Sequence, residues 1–208
     1  MDNLRVDLEE IKEVNPLSTI LQGILSSVTN ISIQRGKTVF EGRPAFEAVF
    51  EHIAQDSDET DSAITRYKHM QDQYNHVLGH YFRNLYQALK VVNSYSEAQL
   101  TADEKRKYTS IMRAQLSTTE LALLFLNCIN GVSDQGQFRN LLVEYAMLEH
   151  LPFKETPQGY TIAHRLKVSR KTFDQFKEVH SLPVNLHKPY GGAFGKNGGN
   201  HPKVTEMA

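Results

Sequence analysis

A stripe of polar and ionisable residues follows one face of the longest helical segment in this sequence. On a helical wheel of about 100° per residue, its members are His69, Asp72, His76, His80, Arg83, Gln87 and Lys90. Histidine and aspartate are metal ligands, and two histidines four residues apart on a helix can share one ion. The segment lacks a His-Glu-x-x-His motif, however, and a complete site would need ligands from other helices. The sequence therefore predicts no metal site and no cofactor.

Three other roles remain open for this polar stripe. In the first, the stripe is a solvated helix face. In the second, it is a contact surface for a partner through His80, Arg83 and Lys90. In the third, it is a polar seam buried against another part of the chain. The partner in the second case is a protein or a nucleic acid. The candidate binding residues are His76, His80, Arg83 and Arg113. His80 and Arg83 are also candidate catalytic residues, together with Glu120.

Arg113 and Glu120 flank Ser117, at a junction between two helical segments. Serine followed three residues later by glutamate is a capping box, in which each side chain accepts a hydrogen bond from the other residue's backbone N–H. Thr101 and Glu104 repeat the pattern. Arg113 suits the end of the preceding helix, where its guanidinium can satisfy backbone carbonyls. A structural role is therefore favoured over catalysis for Arg113 and Glu120.

The motifs of several enzyme classes are absent from the sequence. There is no Gly-rich phosphate loop before a helix and no Gly-x-Ser-x-Gly elbow. The single cysteine, Cys128, lies in an apolar run, which predicts a buried thiol and not a nucleophile. The Arg-x4–6-His spacing of helical ribonucleases of the HEPN kind is also missing. These absences weaken a nuclease interpretation but leave it open.

The helices that must position these residues lie in a stretch without proline, from position 45 to 151. Helical periodicity predicts a long helix over residues 60–94, and the two capping boxes predict helices over 102–116 and 118–130. Another helix is predicted to begin at Asp134, and one follows Pro44. The long helix has an apolar stripe formed by Tyr74, Val77, Leu78, Tyr81, Leu85, Leu89 and Val92.

The two ends of the sequence have a different pattern. Helices are predicted over residues 2–14 and 17–28, and a β-hairpin over 31–40. Alternation over residues 160–168 predicts one strand that pairs with this hairpin, followed by a short helix over 170–180. Residues 187–208 are rich in Gly, Asn, Lys and His, which predicts a flexible tail beyond a single helical domain of residues 1–186.

Composition sets the class of protein. The formal net charge is −1, so no global field attracts nucleic acid, although a local patch can still do so. No apolar run is long enough to span a bilayer, and the N-terminus lacks the pattern of a signal peptide. We therefore expect a cytoplasmic protein without membrane insertion. Whether it forms a homo-oligomer is left open.

Three groups of residues resemble a known family by their order and spacing. They are His80-Tyr81-Phe82-Arg83-x-Leu85-Tyr86, then Tyr108-x4-Arg113-Ala114-Gln115-Leu116-Ser117-x2-Glu120-Leu121, then Asn127 with Phe138-x2-Leu141-Leu142-x2-Tyr145. This arrangement is similar to the phage abortive infection family of AbiC-like bacterial proteins. It covers about residues 42–150, with Gly42-Arg43-x2-Phe46 as its first element. The resemblance implies a bacterial or prophage-borne protein that limits phage propagation, and it implies no particular reaction.

Taken together, these features predict a mainly α protein, a helical bundle with a minor β hairpin or strand element. We expect it to act in anti-phage defence by binding a phage or host component. One alternative is a nuclease or toxin-type enzyme that uses the face from His69 to Lys90, with Glu120 as a further site residue. The other alternative is a helical adaptor subunit of a larger complex.

Overall fold

The computed structural model describes residues 31–35, 38–55, 59–132, 137–177 and 192–197, together with position 22. At residues 33–35 and 73–77 it describes the backbone alone. The helices predicted over 2–14 and 17–28 therefore lie outside the described residues, apart from position 22, which is helical.

The described chain alternates between a helical body and two small antiparallel sheets. In chain order, its elements are β1 (Ser32–Arg35), β2 (Thr38–Glu41), α1 (Arg43–Ala54), α2 (Ser62–Ser94), α3 (Ala102–Ala114), α4 (Thr118–Asn127), α5 (Gln137–Glu144), β3 (Phe153–Thr156), β4 (Gly159–Ile162), β5 (Leu166–Val168), α6 (Arg170–Asp174) and a 3-10 helix (Gly192–Phe194). The prediction of a mainly α protein with a minor β element is confirmed.

The long helix α2 buries the apolar stripe that the sequence predicts. Leu78, Tyr81, Leu85, Leu89 and Val92 are all buried, while the side chains of residues 74 and 77 lie outside the described part. Because a helix repeats every 3.6 residues, this burial leaves the opposite face of α2 turned away from the core.

Both predicted capping boxes form. The Thr101 and Ser117 hydroxyls accept hydrogen bonds from the backbone N–H groups of Glu104 and Glu120, whose carboxylates accept from the two N-cap N–H groups in return. Helix α4 follows the second box and is buried on all sides from Glu120 to Asn127, which makes it the centre of the bundle. Helices α3 and α4 end two and three residues earlier than the sequence predicts.

The β structure differs from the prediction in its pairing. The hairpin of β1 and β2 forms, with Ser32 opposite Glu41, but it makes a sheet of its own. The predicted single strand over 160–168 is wrong, since a turn with positive φ at Ala163 and His164 folds it into β4 and β5. The predicted pairing with the hairpin is also wrong, because β4 pairs with β3 and β5 instead.

Six residues of the predicted tail, 192–197, are packed against the helical body. Ala193 and Phe194 are fully buried, and the Phe194 ring stacks on Phe173 with ring centroids 4.3 Å apart. The Ala193 N–H donates to the Phe176 carbonyl, and the Ala193 carbonyl accepts from the Leu148 N–H. The other residues from 187 to 208 lie outside the described part of the chain.

Among the described helices, none combines the length and the apolar character that crossing a membrane requires.

Candidate functional site

The polar stripe of α2 lies on the surface. His69, Asp72, His80, Arg83, Gln87 and Lys90 are exposed, and the side chain of position 76 lies outside the described part. The interpretation of the stripe as a buried polar seam is therefore wrong for the six described residues. The Lys90 ammonium lies 6.0 Å from the centroid of the Tyr86 ring, which is partly buried beneath it.

The described residues hold no group of three or more His, Cys, Asp or Glu side chains arranged to bind a metal ion. The predicted thiol burial is confirmed, because Cys128 is fully buried at the end of α4.

Glu120 lies in the core, with a side chain that is 1% exposed. Its Oε1 accepts a hydrogen bond from the Tyr81 hydroxyl at 3.0 Å, and its Oε2 accepts from the Ser117 backbone N–H at 2.7 Å. The Arg43 Nε lies 3.9 Å from Oε2, on a side chain that is largely exposed. These contacts tie α1, α2 and the start of α4 to one carboxylate.

The environment of Glu120 also acts on Tyr81. Burial raises the pKa of the Tyr81 phenol well above its usual range, and the neighbouring Glu120 carboxylate raises it further. Tyr81 therefore stays protonated at ordinary pH and donates its hydroxyl hydrogen to Glu120.

Arg113 joins α3 to the turn after α5. Its Nη1 donates to the Ala146 carbonyl at 2.9 Å and lies 2.9 Å from Glu149 Oε2. Glu149 Oε1 accepts from the Lys196 N–H at 3.2 Å, so the same carboxylate also fixes the C-terminal segment. Arg113 was expected to bond carbonyls at the end of its own helix, α3. It instead bonds the Ala146 carbonyl, which follows α5.

A buried polar cluster at the other end of α4 was not recognised in the sequence. The Tyr67 hydroxyl donates to Asn127 Oδ1 at 3.0 Å and accepts from Gln71 Nε2 at 2.6 Å. Gln71 Oε1 is buried without a partner among the described residues. Burial raises the pKa of Tyr67 well above its usual range. The sequence did contain one sign of this cluster: Tyr67 and Gln71 are four residues apart on the apolar face of α2, so their side chains can meet.

The predicted site residues do not converge on one place. His80 and Arg83 are exposed on α2, whereas Glu120 is bonded from the buried face of the same helix. Arg113 and Asn127 belong to two further clusters that share no hydrogen bond with Glu120 among the described residues. The structure therefore has three internal polar clusters, around Glu120, Arg113 and Asn127, and one exposed polar surface on α2.

Comparison with known proteins finds a family model that matches part of the chain. Residues 73–156 match the family model described as "Putative phage abortive infection protein". This match confirms the family resemblance that the sequence predicts, and it includes His80, Arg83, Arg113 and Glu120. The predicted first element, residues 42–46, lies outside the matched segment. No curated protein and no solved structure matches the chain.

Proposed function

We propose that this protein protects bacterial cells against phage by abortive infection, and that it acts in the cytoplasm by binding a phage or host component. The binding surface in this proposal is the polar stripe of α2, with His80 and Arg83 near its middle. The role in phage infection is supported by the match of residues 73–156.

The choice of binding over catalysis is supported by how the matched polar residues are used. Both oxygens of Glu120 accept hydrogen bonds from the protein, and its side chain is 1% exposed, so a substrate has no access to it. Arg113 is held by Ala146 and Glu149. Only His80 and Arg83 among the predicted site residues whose side chains are described face the solvent. This division of the motif is the observation that carries the proposal.

The experiment is phage plating on bacteria that express the protein. Wild type should reduce plaque counts for at least one phage, and the His80→Ala/Arg83→Ala variant should restore them. The matched control, Lys154→Ala/Lys171→Ala, changes two exposed basic residues outside α2 and should protect as wild type does. Undiminished plating of wild type across a broad phage panel would contradict the proposed role.

A second variant separates binding from catalysis. Glu120→Gln keeps the size of the side chain and removes its charge. If the role of Glu120 is structural, this substitution should reduce protection against phage only to the extent that it unfolds the protein. We expect protection to persist at temperatures where circular dichroism shows the variant folded. Loss of protection by a fully folded Glu120→Gln protein would instead identify Glu120 as a catalytic residue.

A further inference from the structure

We infer that Asn130 is a site of spontaneous deamidation, where the folded protein converts the side-chain amide to a carboxylate with help from Arg139. Asn130 is followed by Gly131 in the connection between α4 and α5. The inference does not depend on the proposed function, because it uses no residue of the polar stripe. The site lies within residues 73–156, the segment that matches the abortive infection family.

The reaction joins a backbone nitrogen to the side-chain amide of the residue before it. The Gly131 nitrogen attacks Asn130 Cγ, and the new C–N bond closes a succinimide ring as the Cγ–Nδ2 bond breaks. Nδ2 leaves as ammonia and takes the proton of the Gly131 N–H. Water then opens the ring at either carbonyl and returns a proton to the nitrogen. The products at position 130 are aspartate or isoaspartate, with water consumed, ammonia released and no change of oxidation state.

The backbone around the attacking nitrogen is open. Asn130 and Gly131 are both exposed, so water can reach the succinimide. Gly131 has a φ of +76°, and a Cβ atom at this position would meet no other atom within 4 Å. The Gly131 N–H donates no hydrogen bond to the described residues. Since glycine also lacks a side chain that could hinder the approach, its nitrogen can reach the neighbouring amide.

The contacts of the Asn130 side chain favour loss of its nitrogen. Oδ1 accepts a hydrogen bond from Arg139 Nη1, whereas Nδ2 donates none to the described residues. A cation on Oδ1 draws electron density from Cγ and stabilises the negative charge that develops on the oxygen during the attack. The same Arg139 Nη1 lies 3.5 Å from the Cys128 carbonyl oxygen and 3.3 Å from Gln175 Oε1. These contacts hold the guanidinium beside the amide.

A second Asn-Gly pair in the same chain, Asn197 with Gly198, provides an internal reference. Its side-chain nitrogen is held, because Asn197 Nδ2 donates to the Leu151 carbonyl at 2.8 Å. This hydrogen bond must break before the nitrogen can leave, whereas the bond from Arg139 to Asn130 can persist through the reaction. We therefore expect faster deamidation at Asn130 than at Asn197 in the folded protein. In the unfolded chain these contacts are lost, and the two rates should be similar.

The experiment follows both asparagines by peptide mapping and mass spectrometry while the full chain is incubated at mildly alkaline pH, with and without urea. The variant Arg139→Gln removes the cation and should slow conversion of Asn130 by about two- to five-fold, as expected for one exposed charged contact. Conversion of Asn197 should not change. Arg139→Lys should recover most of the rate, because an ammonium can also bond Oδ1. Arg106→Gln, which changes an exposed arginine of α3, is the matched control.

Two results would overturn the inference. One is an Asn130 that stays intact in the folded protein over a period in which the unfolded chain is converted. The other is equal conversion of Asn130 in Arg139→Gln and Arg106→Gln, which would remove Arg139 from the reaction. If circular dichroism shows that Arg139→Gln does not fold, the comparison of Asn130 with Asn197 in the folded wild-type protein decides, and equal rates there would overturn the inference.

Discussion

The Tyr81 hydroxyl donates a hydrogen bond to the Glu120 carboxylate across 3.0 Å in the core, between the long helix and the start of the central one. Tyr81 is preceded by His80 and followed two residues later by Arg83, both of which are exposed. The same short motif therefore joins two helices of the bundle on one side and presents His80 and Arg83 to solvent on the other.

Tyr81→Phe removes one buried hydrogen bond to a charged acceptor and leaves the aromatic ring in place. We expect the free energy of unfolding to fall by about 1.5–3 kcal/mol, the range for hydrogen bonds to charged groups. Urea denaturation monitored by circular dichroism measures the change. Tyr86→Phe is the matched control on the same helix, because its hydroxyl bonds to Gln137 at an exposed position. A loss in Tyr81→Phe no larger than in this control would mean that the Glu120 contact contributes little.

Alkaline pH should destabilise the fold through its buried tyrosines. Burial and, to a lesser extent, the Glu144 carboxylate raise the pKa of Tyr145 to about 12, whereas an unfolded tyrosine ionises near pH 10. Between these values the unfolded chain binds fewer protons than the folded protein, so stability falls as pH rises. Tyr81 and Tyr67, whose pKa values are also raised, add to the same slope.

The measurement is the urea midpoint at a series of pH values from 9 upward, about one unit below the ordinary tyrosine pKa. Tyr145→Phe should have a shallower decline than wild type above pH 10, because it lacks one of the titrating groups. If the urea midpoint of Tyr145→Phe fell with pH as steeply as that of wild type, the loss of stability at alkaline pH would come from other residues.

Glu149→Gln should loosen two contacts at once. The variant removes the charge that faces Arg113 and weakens the acceptor for the Lys196 N–H. Since both side chains of the ion pair are mostly buried, we expect a cost of about 1–3 kcal/mol, between the values for exposed and fully buried pairs. Chemical denaturation measures it, and Glu155→Gln, which affects an exposed pair with Arg170, should cost less than about 1 kcal/mol.

Phe194→Ala tests whether the C-terminal segment completes the core. Phe194 is fully buried among Phe153, Phe173 and Phe176, so its truncation should cost about 3–5 kcal/mol. Lys196→Ala is the control, because this exposed residue contributes only its backbone N–H to the packing. Equal stability of the two variants in thermal denaturation would show that the segment adds nothing to the fold.

The backbone of the C-terminal segment requires a glycine at position 192. At a φ of 50°, a Cβ atom at this position would lie 1.9 Å from the Lys177 carbonyl oxygen, so Gly192→Ala should also detach it. In thermal denaturation we expect a loss of stability comparable to that of Phe194→Ala.

The parts of the fold that the sequence predicted are those set by local chemistry. Thr101 and Ser117 begin their helices because the bonds of a capping box join residues three apart. The buried and exposed faces of α2 follow from helical periodicity alone. The division of His80, Tyr81 and Arg83 between two faces was predictable for the same reason.

The parts that escaped prediction depend on residues far apart in the chain. The pairing of β4 with β3 was missed because alternation gives burial and not the turn at Ala163 and His164. The ion pair of Arg113 and Glu149 was missed because no local sequence pattern indicates that these two residues meet. Phe194 stands in a segment of small and polar residues, so composition gave no sign that its ring is buried.

The burial of Phe194 also imposes an order of events during synthesis. Among the described residues, the aromatic rings that it contacts are those of Phe153, Phe173 and Phe176, all of which are made earlier. Until Phe194 has been made, has left the ribosome and has packed, the rings of Phe153, Phe173 and Phe176 form an open aromatic cleft. Exposed apolar surface of this kind makes a newly made chain prone to aggregation. A truncated translation product that stops before residue 194 keeps that cleft open for its whole lifetime.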